Sequence, residues 1–205
     1  MQVGDLVMLK EIFESVSTYL CEDAQWIKLN SINNNWSKDP VFYNYHKLGN
    51  KQKGTNGEYV VERLMKDLNH TVAPPENTGH DRMIDNIKSE IKFSLAVSEK
   101  DKIVKDKFII NHVSIDKDWE RLIFCGINPE PDWGNMKKRR DDSLHYERIR
   151  MYFMKKSDFS DYMKGSGEKV FKHQQGGEKV ENDDYICTDF FGLINLSFVK
   201  HISEW

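Results

Sequence analysis

Asp81, Glu90 and Lys92 stand where one reversal of the backbone would gather two carboxylates and an ammonium group. From Ile87 to Leu95 the residues alternate. Ile87, Ser89, Ile91, Phe93 and Leu95 fall on one face of a strand, and Lys88, Glu90, Lys92 and Ser94 on the other. That pattern predicts a strand with one buried side. Arg82-Met83-Ile84 reads as a short strand before it, and Asp85-Asn86 as a two-residue turn, since both residue types tolerate positive φ. With those two residues in the turn, Ile84 meets Ile87, Met83 meets Lys88, Arg82 meets Ser89 and Asp81 meets Glu90. Opposed residues in an antiparallel pair hold their Cβ atoms about 4.5–5.5 Å apart on one face, and opposed like charges destabilise the ladder. A divalent cation between the two acids would turn repulsion into coordination. Mg²⁺ typically takes one or two carboxylates together with phosphate oxygens and water, and Mn²⁺ is the expected substitute. Lys92, next along the same face, can stabilise charge developing on a phosphate or help to deprotonate a water. Together these are the parts needed to hydrolyse a phosphodiester. The plain alternative is that Glu-x-Lys on a strand is only a solvated surface. Asp85 is a rival for the metal aspartate, but too little chain separates it from Glu90 for a reversal to join them.

The elements that must position these residues can be read outward from the hairpin. Gly4 to Asp23 has helical spacing of Leu6, Leu9, Ile12, Phe13, Val16 and Leu20. A polar stretch from Asn30 to Lys53 reads as loop. Gly57 to Leu68 is a second amphipathic helix, with Thr55 and Glu58 as a capping box and Val60, Val61, Leu64, Met65 and Leu68 as its apolar face. Thr71 to Pro74 is a short strand candidate, Glu99 to His112 a weakly patterned helix, and Arg121 to Ile127 a buried strand. A helix is expected at Ser157 to Met163, followed by a Gly-rich loop near Gly165 to Gly177. The apolar run Phe190 to Val199 reads as core or dimer contact, and His112 as a helix-face or core histidine.

The succession of helix with an early glutamate, short strand, loop, Asp-hairpin-Glu-x-Lys, helix and buried strand resembles the core of the PD-(D/E)xK nuclease superfamily. That superfamily includes type II restriction endonucleases and archaeal Holliday-junction resolvases. The likeness runs from Lys53-Gly54-Thr55-Asn56-Gly57-Glu58 through Asp81 and Glu90-Ile91-Lys92 to Arg121–Ile127, roughly residues 53–127. It implies that Asp81 and Glu90 bind Mg²⁺, that Lys92 orients or activates the attacking water, and that Glu58 assists from the first core helix. Ser94 falls where such nucleases often carry a small hydroxyl residue. His80 stands where the family motif names a proline. A polar segment before the Arg121–Ile127 strand ranks restriction-type members above resolvase-type ones. The resemblance therefore implies an α/β restriction-endonuclease-like core, a central mixed β-sheet flanked by helices. A sequence-specific double-stranded DNA endonuclease, acting as a homodimer, is its functional counterpart. A structure-specific junction nuclease and a DNA-binding module that does not cleave are the alternatives.

Contacts to DNA are expected from two segments. Lys137-Lys138-Arg139-Arg140 is the densest basic cluster and suits phosphate contact, although Asp141-Asp142 beside it neutralise part of its charge. His173-Gln174-Gln175 lies beside Gly176-Gly177; glutamine can contact adenine, and glycine lets backbone approach a groove. A solvated loop and a polar turn are the plain readings of these two segments.

With 39% hydrophobic and 31% charged residues, the composition is that of a globular chain and excludes an intrinsically disordered one. The 205 residues suit one domain, with the N-terminal helical segment and the C-terminal third as recognition or dimerisation additions to the core. No apolar run is long enough to span a bilayer, and Met1 to Asp5 lacks a secretory start. Cys21, Cys125 and Cys187 form neither a disulfide framework nor a zinc pattern, so a cytoplasmic location is expected. Net charge of −3 weighs against a wholly basic nucleic-acid binder, but not against an enzyme that gathers carboxylates around a cation.

Overall fold

Helix α1 (Asn50–Asp67) carries Val60, Val61, Leu64 and Met65 buried along one side, the stripe expected from their spacing. The computed structural model describes residues 50–99, 102–128, 149–173 and 184–205. The expectations for Gly4 to Asp23, Cys21, the stretch before Asn50, Lys137 to Arg140, Gln174 and Gln175 lie outside these residues. The helix begins ahead of the predicted Gly57 start. Thr55 and Glu58 are therefore inside it and form no capping box. Gly54 and Gly57 also lie within it, since glycine costs a helix interior only about 1 kcal/mol, which tertiary packing overrides. The C-terminus closes on Asn69 at φ +68, where Asn69 N–H donates to Lys66 O and His70 N–H to Met65 O. Those two bonds satisfy orphan carbonyls in a Schellman arrangement.

Strands β1 (Val72–Ala73), β2 (Arg82–Ile84) and β3 (Ile87–Leu95) follow as an antiparallel set. Three of the four expected hairpin pairs form, Ile84 with Ile87, Met83 with Lys88, and Arg82 with Ser89; the fourth, Asp81 with Glu90, is not a ladder pair. Asp85 and Asn86 take φ +51 and +64, the doubly left-handed turn that matches the twist of its strands.

The segment expected to be helical from Glu99 to His112 instead contains β4 (Ser98–Glu99), β5 (Lys102–Ile103) and the start of β6 (Ile110–Ser114). Its Ile103, Val104, Ile109, Ile110 and Val113 are β-branched and stiff at χ1, which suits strands better than helices. Asp106 breaks the segment at φ +57. Its N–H donates to Asn128 Oδ1, and its carboxylate accepts from Asn128 Nδ2 and Arg150 Nε.

Strand β7 (Arg121–Ile127) runs parallel to β3 from Ser89↔Arg121 to Leu95↔Ile127, and every residue after Arg121 is buried. Beyond it lie β8 (Ile149–Lys155) and, after helix α2 (Lys156–Lys164), β9 (Phe171–His173), β10 (Asp184–Cys187), helix α3 (Phe190–Ile194) and β11 (Lys200–His201). A 3-10 turn, Ile202–Glu204, follows. The main sheet is ordered β1-β2-β3-β7-β8-β11, with only β3 and β7 parallel; a second, antiparallel sheet is ordered β6-β10-β9, and β4 pairs with β5. Trp119, Phe108, Phe124, Phe159 and Phe171 are fully buried, and edge contacts link Phe108 to Phe190 and Phe159 to Phe171 and Tyr185. Phe190, Leu193 and Val199 make the late apolar run part of this core. The chain is thus α/β with a mixed multi-stranded sheet. No helix among the described residues is long and apolar enough to cross a membrane.

Candidate active site

At the open end of the β2–β3 hairpin the ladder stops at Arg82↔Ser89, and Asp81 N–H donates to Ser89 O at 3.0 Å, one residue out of register. The Asp81 carboxylate then folds onto β3, and its Oδ2 accepts the Ile91 N–H at 2.7 Å. The aspartate is held by backbone on both sides, next to Glu90. Glu90 is not on a solvated face, as one-sided alternation suggested; its side chain is 1% exposed. β3 is covered on both faces. On one side Phe93 packs against Gly57 of α1, and on the other Ser94 and Glu90 meet the segments flanking β6.

Two ammonium groups converge on a single oxygen of Glu90. Lys92 Nζ lies 2.7 Å and Lys117 Nζ 2.8 Å from Oε1, while Oε2 is buried with no hydrogen-bond partner. A buried unpaired carboxylate oxygen forfeits its hydration and calls for a cation or a donor. Glu58, on α1, has its Oε2 3.4 Å from Arg82 Nη1, and Arg82 Nε is 2.7 Å from Glu62 Oε2. Burial lifts Glu58 from its ordinary 4.5 to about 7; the negative charges of Asp81 and Glu90 add to the rise, and Arg82 and Lys92 oppose it. Asp81 is raised by burial first and by the Glu90 charge second, against the Ile91 bond and the two lysines. Burial alone would lower Lys117, but its bond to Glu90 and the surrounding acids raise it. The charges of Asp81 and Glu90 thus hold the proton on Glu58, and that of Glu90 holds the proton on Asp81.

That frustration is the physical argument for a cation. Among the described residues, no three of His, Cys, Asp and Glu gather as a metal-holding group. A Mg²⁺ site needs fewer protein ligands when phosphate and water complete the octahedron. Asp81 and the unpartnered Oε2 of Glu90 fit that description, with Glu58 electrostatically coupled to both.

The other expected residues separate clearly. Asp85 is structural: its carboxylate accepts from Thr71 N–H and Oγ1 and from Trp205 Nε1, and bonds His70 Nδ1. Ser94 Oγ donates to Leu95 O and accepts from Ile109 N–H, so its hydroxyl ties β3 to the approach to β6. His173 is exposed on β9, in the second sheet. His112 is neither core nor on a helix; it is exposed on β6 at φ +53, with Nδ1 3.5 Å from Asp184. Lys117 was missed by sequence reasoning. It lies 27 residues from Glu90, after β6, and no local pattern marks it. His80 is also buried, with Nε2 accepting from Glu76 N–H and Nδ1 unpartnered.

No family model, no curated protein and no solved structure matches the chain, so the reading of this site rests on its own geometry.

Proposed function

We propose that the chain is a Mg²⁺-dependent DNA endonuclease of the PD-(D/E)xK kind, cutting duplex DNA at specific sequences as a homodimer. The observation that carries the reading is the buried, unpartnered Oε2 of Glu90 beside a raised Asp81, with two lysines on the opposite oxygen. Asp81 and Glu90 would hold the ion, with Glu58 assisting. The ion supplies Lewis acidity toward the phosphoryl oxygen and lowers the pKa of a bound water. Lys92 and Lys117 fix the Glu90 carboxylate, and Lys92 offers a hydrogen-bond donor to the phosphate as negative charge builds on it. The antiparallel β2–β3 pair, β7 parallel to β3, and α1 packed on β3 support a restriction-endonuclease-like core. One departure is that strands, not a helix, occupy the chain between β3 and β7.

The test is plasmid digestion with Mg²⁺, with Mn²⁺ and with EDTA, on wild type and Lys92→Ala. Discrete fragments are expected with either metal and none with EDTA. Lys92→Ala is expected to slow cleavage about a hundredfold or more. Binding without cutting would return the chain to a non-cleaving module, and cutting confined to branched DNA would make it a junction nuclease.

A further inference from the structure

A second charged feature lies at the end of the sheet where β7 begins. A cavity of about 560 Å³ is lined by Arg121, Lys155, Lys156, Ser157, Ser160 and Trp119, among others, a volume in the range of small-ligand pockets. Arg121 stands directly opposite Lys155 in the antiparallel β7–β8 ladder. Opposed residues share a face at about 4.5–5.5 Å between Cβ atoms, and opposed like charges destabilise a ladder. Lys66, Arg82, Lys88, Lys92, Lys117 and Arg150 each meet a carboxylate. Arg121, Lys155 and Lys156 form no ion pair among the described residues. The Arg121 guanidinium lies over the Trp205 and Phe153 rings, 4.4 and 5.2 Å from their centroids, which fixes its position without supplying an anion. Glu120, the acid in the lining, turns its Oε2 to the Lys88 N–H. Three cationic residues and two serines therefore line one cavity, with the Lys156 ammonium over the Trp119 ring, and an anion there would relieve the repulsion between the opposed Arg121 and Lys155.

One bond links the cavity to the candidate active site: Lys156 Nζ donates to the carbonyl of Lys117, whose own ammonium holds Glu90. Arg121 lies on the other face of the sheet, since its neighbour Leu122 is the β7 residue opposite Glu90. We propose that this cavity is a phosphate subsite that takes a backbone phosphate of the DNA flanking the cut; the identity of the polymer rests on the nuclease reading. Guanidinium, ammonium and serine hydroxyl groups are the usual donors to such an oxyanion. The phosphate would hold the duplex across the end of the sheet and would carry no sequence information.

The experiment is fluorescence anisotropy of a labelled duplex oligonucleotide in EDTA over a range of salt, with wild type, Lys155→Ala and Ser157→Glu. Ser157 is exposed in the first turn of α2, where the helix dipole favours a negative charge, so Ser157→Glu preserves the fold while opposing a phosphate. An unchanged melting temperature checks this. The expected results are a Kd raised about tenfold by Ser157→Glu and a log–log salt slope reduced by about 1 in Lys155→Ala. Affinity and slope within error of wild type in both variants would overturn the subsite. Tight binding of inorganic phosphate lost in Ser157→Glu, with duplex affinity unchanged, would also overturn it by assigning the pocket to a free anion. The two readings fail separately. A plasmid left intact by a protein that binds duplex through these residues sinks only the nuclease, whereas cleavage with both variants' affinity unaltered sinks only the subsite.

Discussion

Glu58, Asp81 and Glu90 crowd three acids into partly dry surroundings, and the sign of the resulting pH dependence follows from linkage. Glu58 releases its proton near 4.5 when unfolded and about 7 when folded, so the folded chain carries the extra proton between those values. Its contribution to stability therefore falls as pH rises through that window. Glu58→Gln is expected to match wild type in thermal melts below pH 4.5. At pH 8 without metal it should be more stable by about 1 kcal/mol, after discounting for the water that still reaches the group, or about 2–4 °C. Equal melting at both pH values would show that the acids do not strain one another. Lys117 is a positioning residue in this scheme. Lys117→Ala should raise the Mg²⁺ concentration for half-maximal cleavage severalfold, and Lys117→Arg should restore it, whereas a merely structural lysine would alter melting and leave the metal titration in place. Of these side chains, Asp81, Glu90 and Lys92 were legible in the sequence because a hairpin relates them locally. Lys117 was not, since it arrives from 27 residues away and its partner is chosen by tertiary packing.

Elements were legible where one local signal decided them. The alternation of Ile87–Leu95 and the apolar run Arg121–Ile127 gave the observed strand bounds, and the Asp85-Asn86 turn gave the pairing of Arg82–Ile84 with Ile87–Ser89, because pleat and positive φ are properties of adjacent residues. The start of α1 lies ahead of Gly57 because Thr55 and Glu58, which fit a capping box by type and spacing, sit inside the helix, and its two glycines differ in their surroundings. An added Cβ at Gly57 would lie 2.5 Å from Phe93 Cβ, whereas nothing lies within 4 Å of Gly54. Gly57→Ala is therefore expected to destabilise the fold by about 1–3 kcal/mol in urea denaturation, through overpacking. Gly54→Ala should stabilise it by about 0.5–1 kcal/mol, through helix propensity. If both substitutions behaved alike, the docking of α1 on β3 would be wrong. The segment after β3 was misread for a different reason. Its branched side chains answer to β6's partner β10, more than 60 residues further on, and no periodicity within the segment reports that.

Across the described residues, carboxylates gather at the hairpin and cations without an ion pair line the neighbouring cavity, a separation that the chain's total charge of −3 does not reveal. Composition gave a globular chain and the succession of elements an α/β one, but the order β1-β2-β3-β7-β8-β11 depends on a single parallel contact that no count could supply. That contact, β3 beside β7, has a kinetic consequence. Parallel neighbours cannot be joined by a tight turn, so the chain from Ala96 to Glu120 must complete its excursion before β7 can pair, and Lys117 comes into place only at the end of that route. Closing such a loop is the slow, high-contact-order part of folding. During refolding, the hairpin with Asp81 and Glu90 can form early, yet Mg²⁺-dependent activity should return no sooner than the burial of Trp119, which stands two residues after Lys117 and can be followed as the fluorescence change that Trp119→Phe removes.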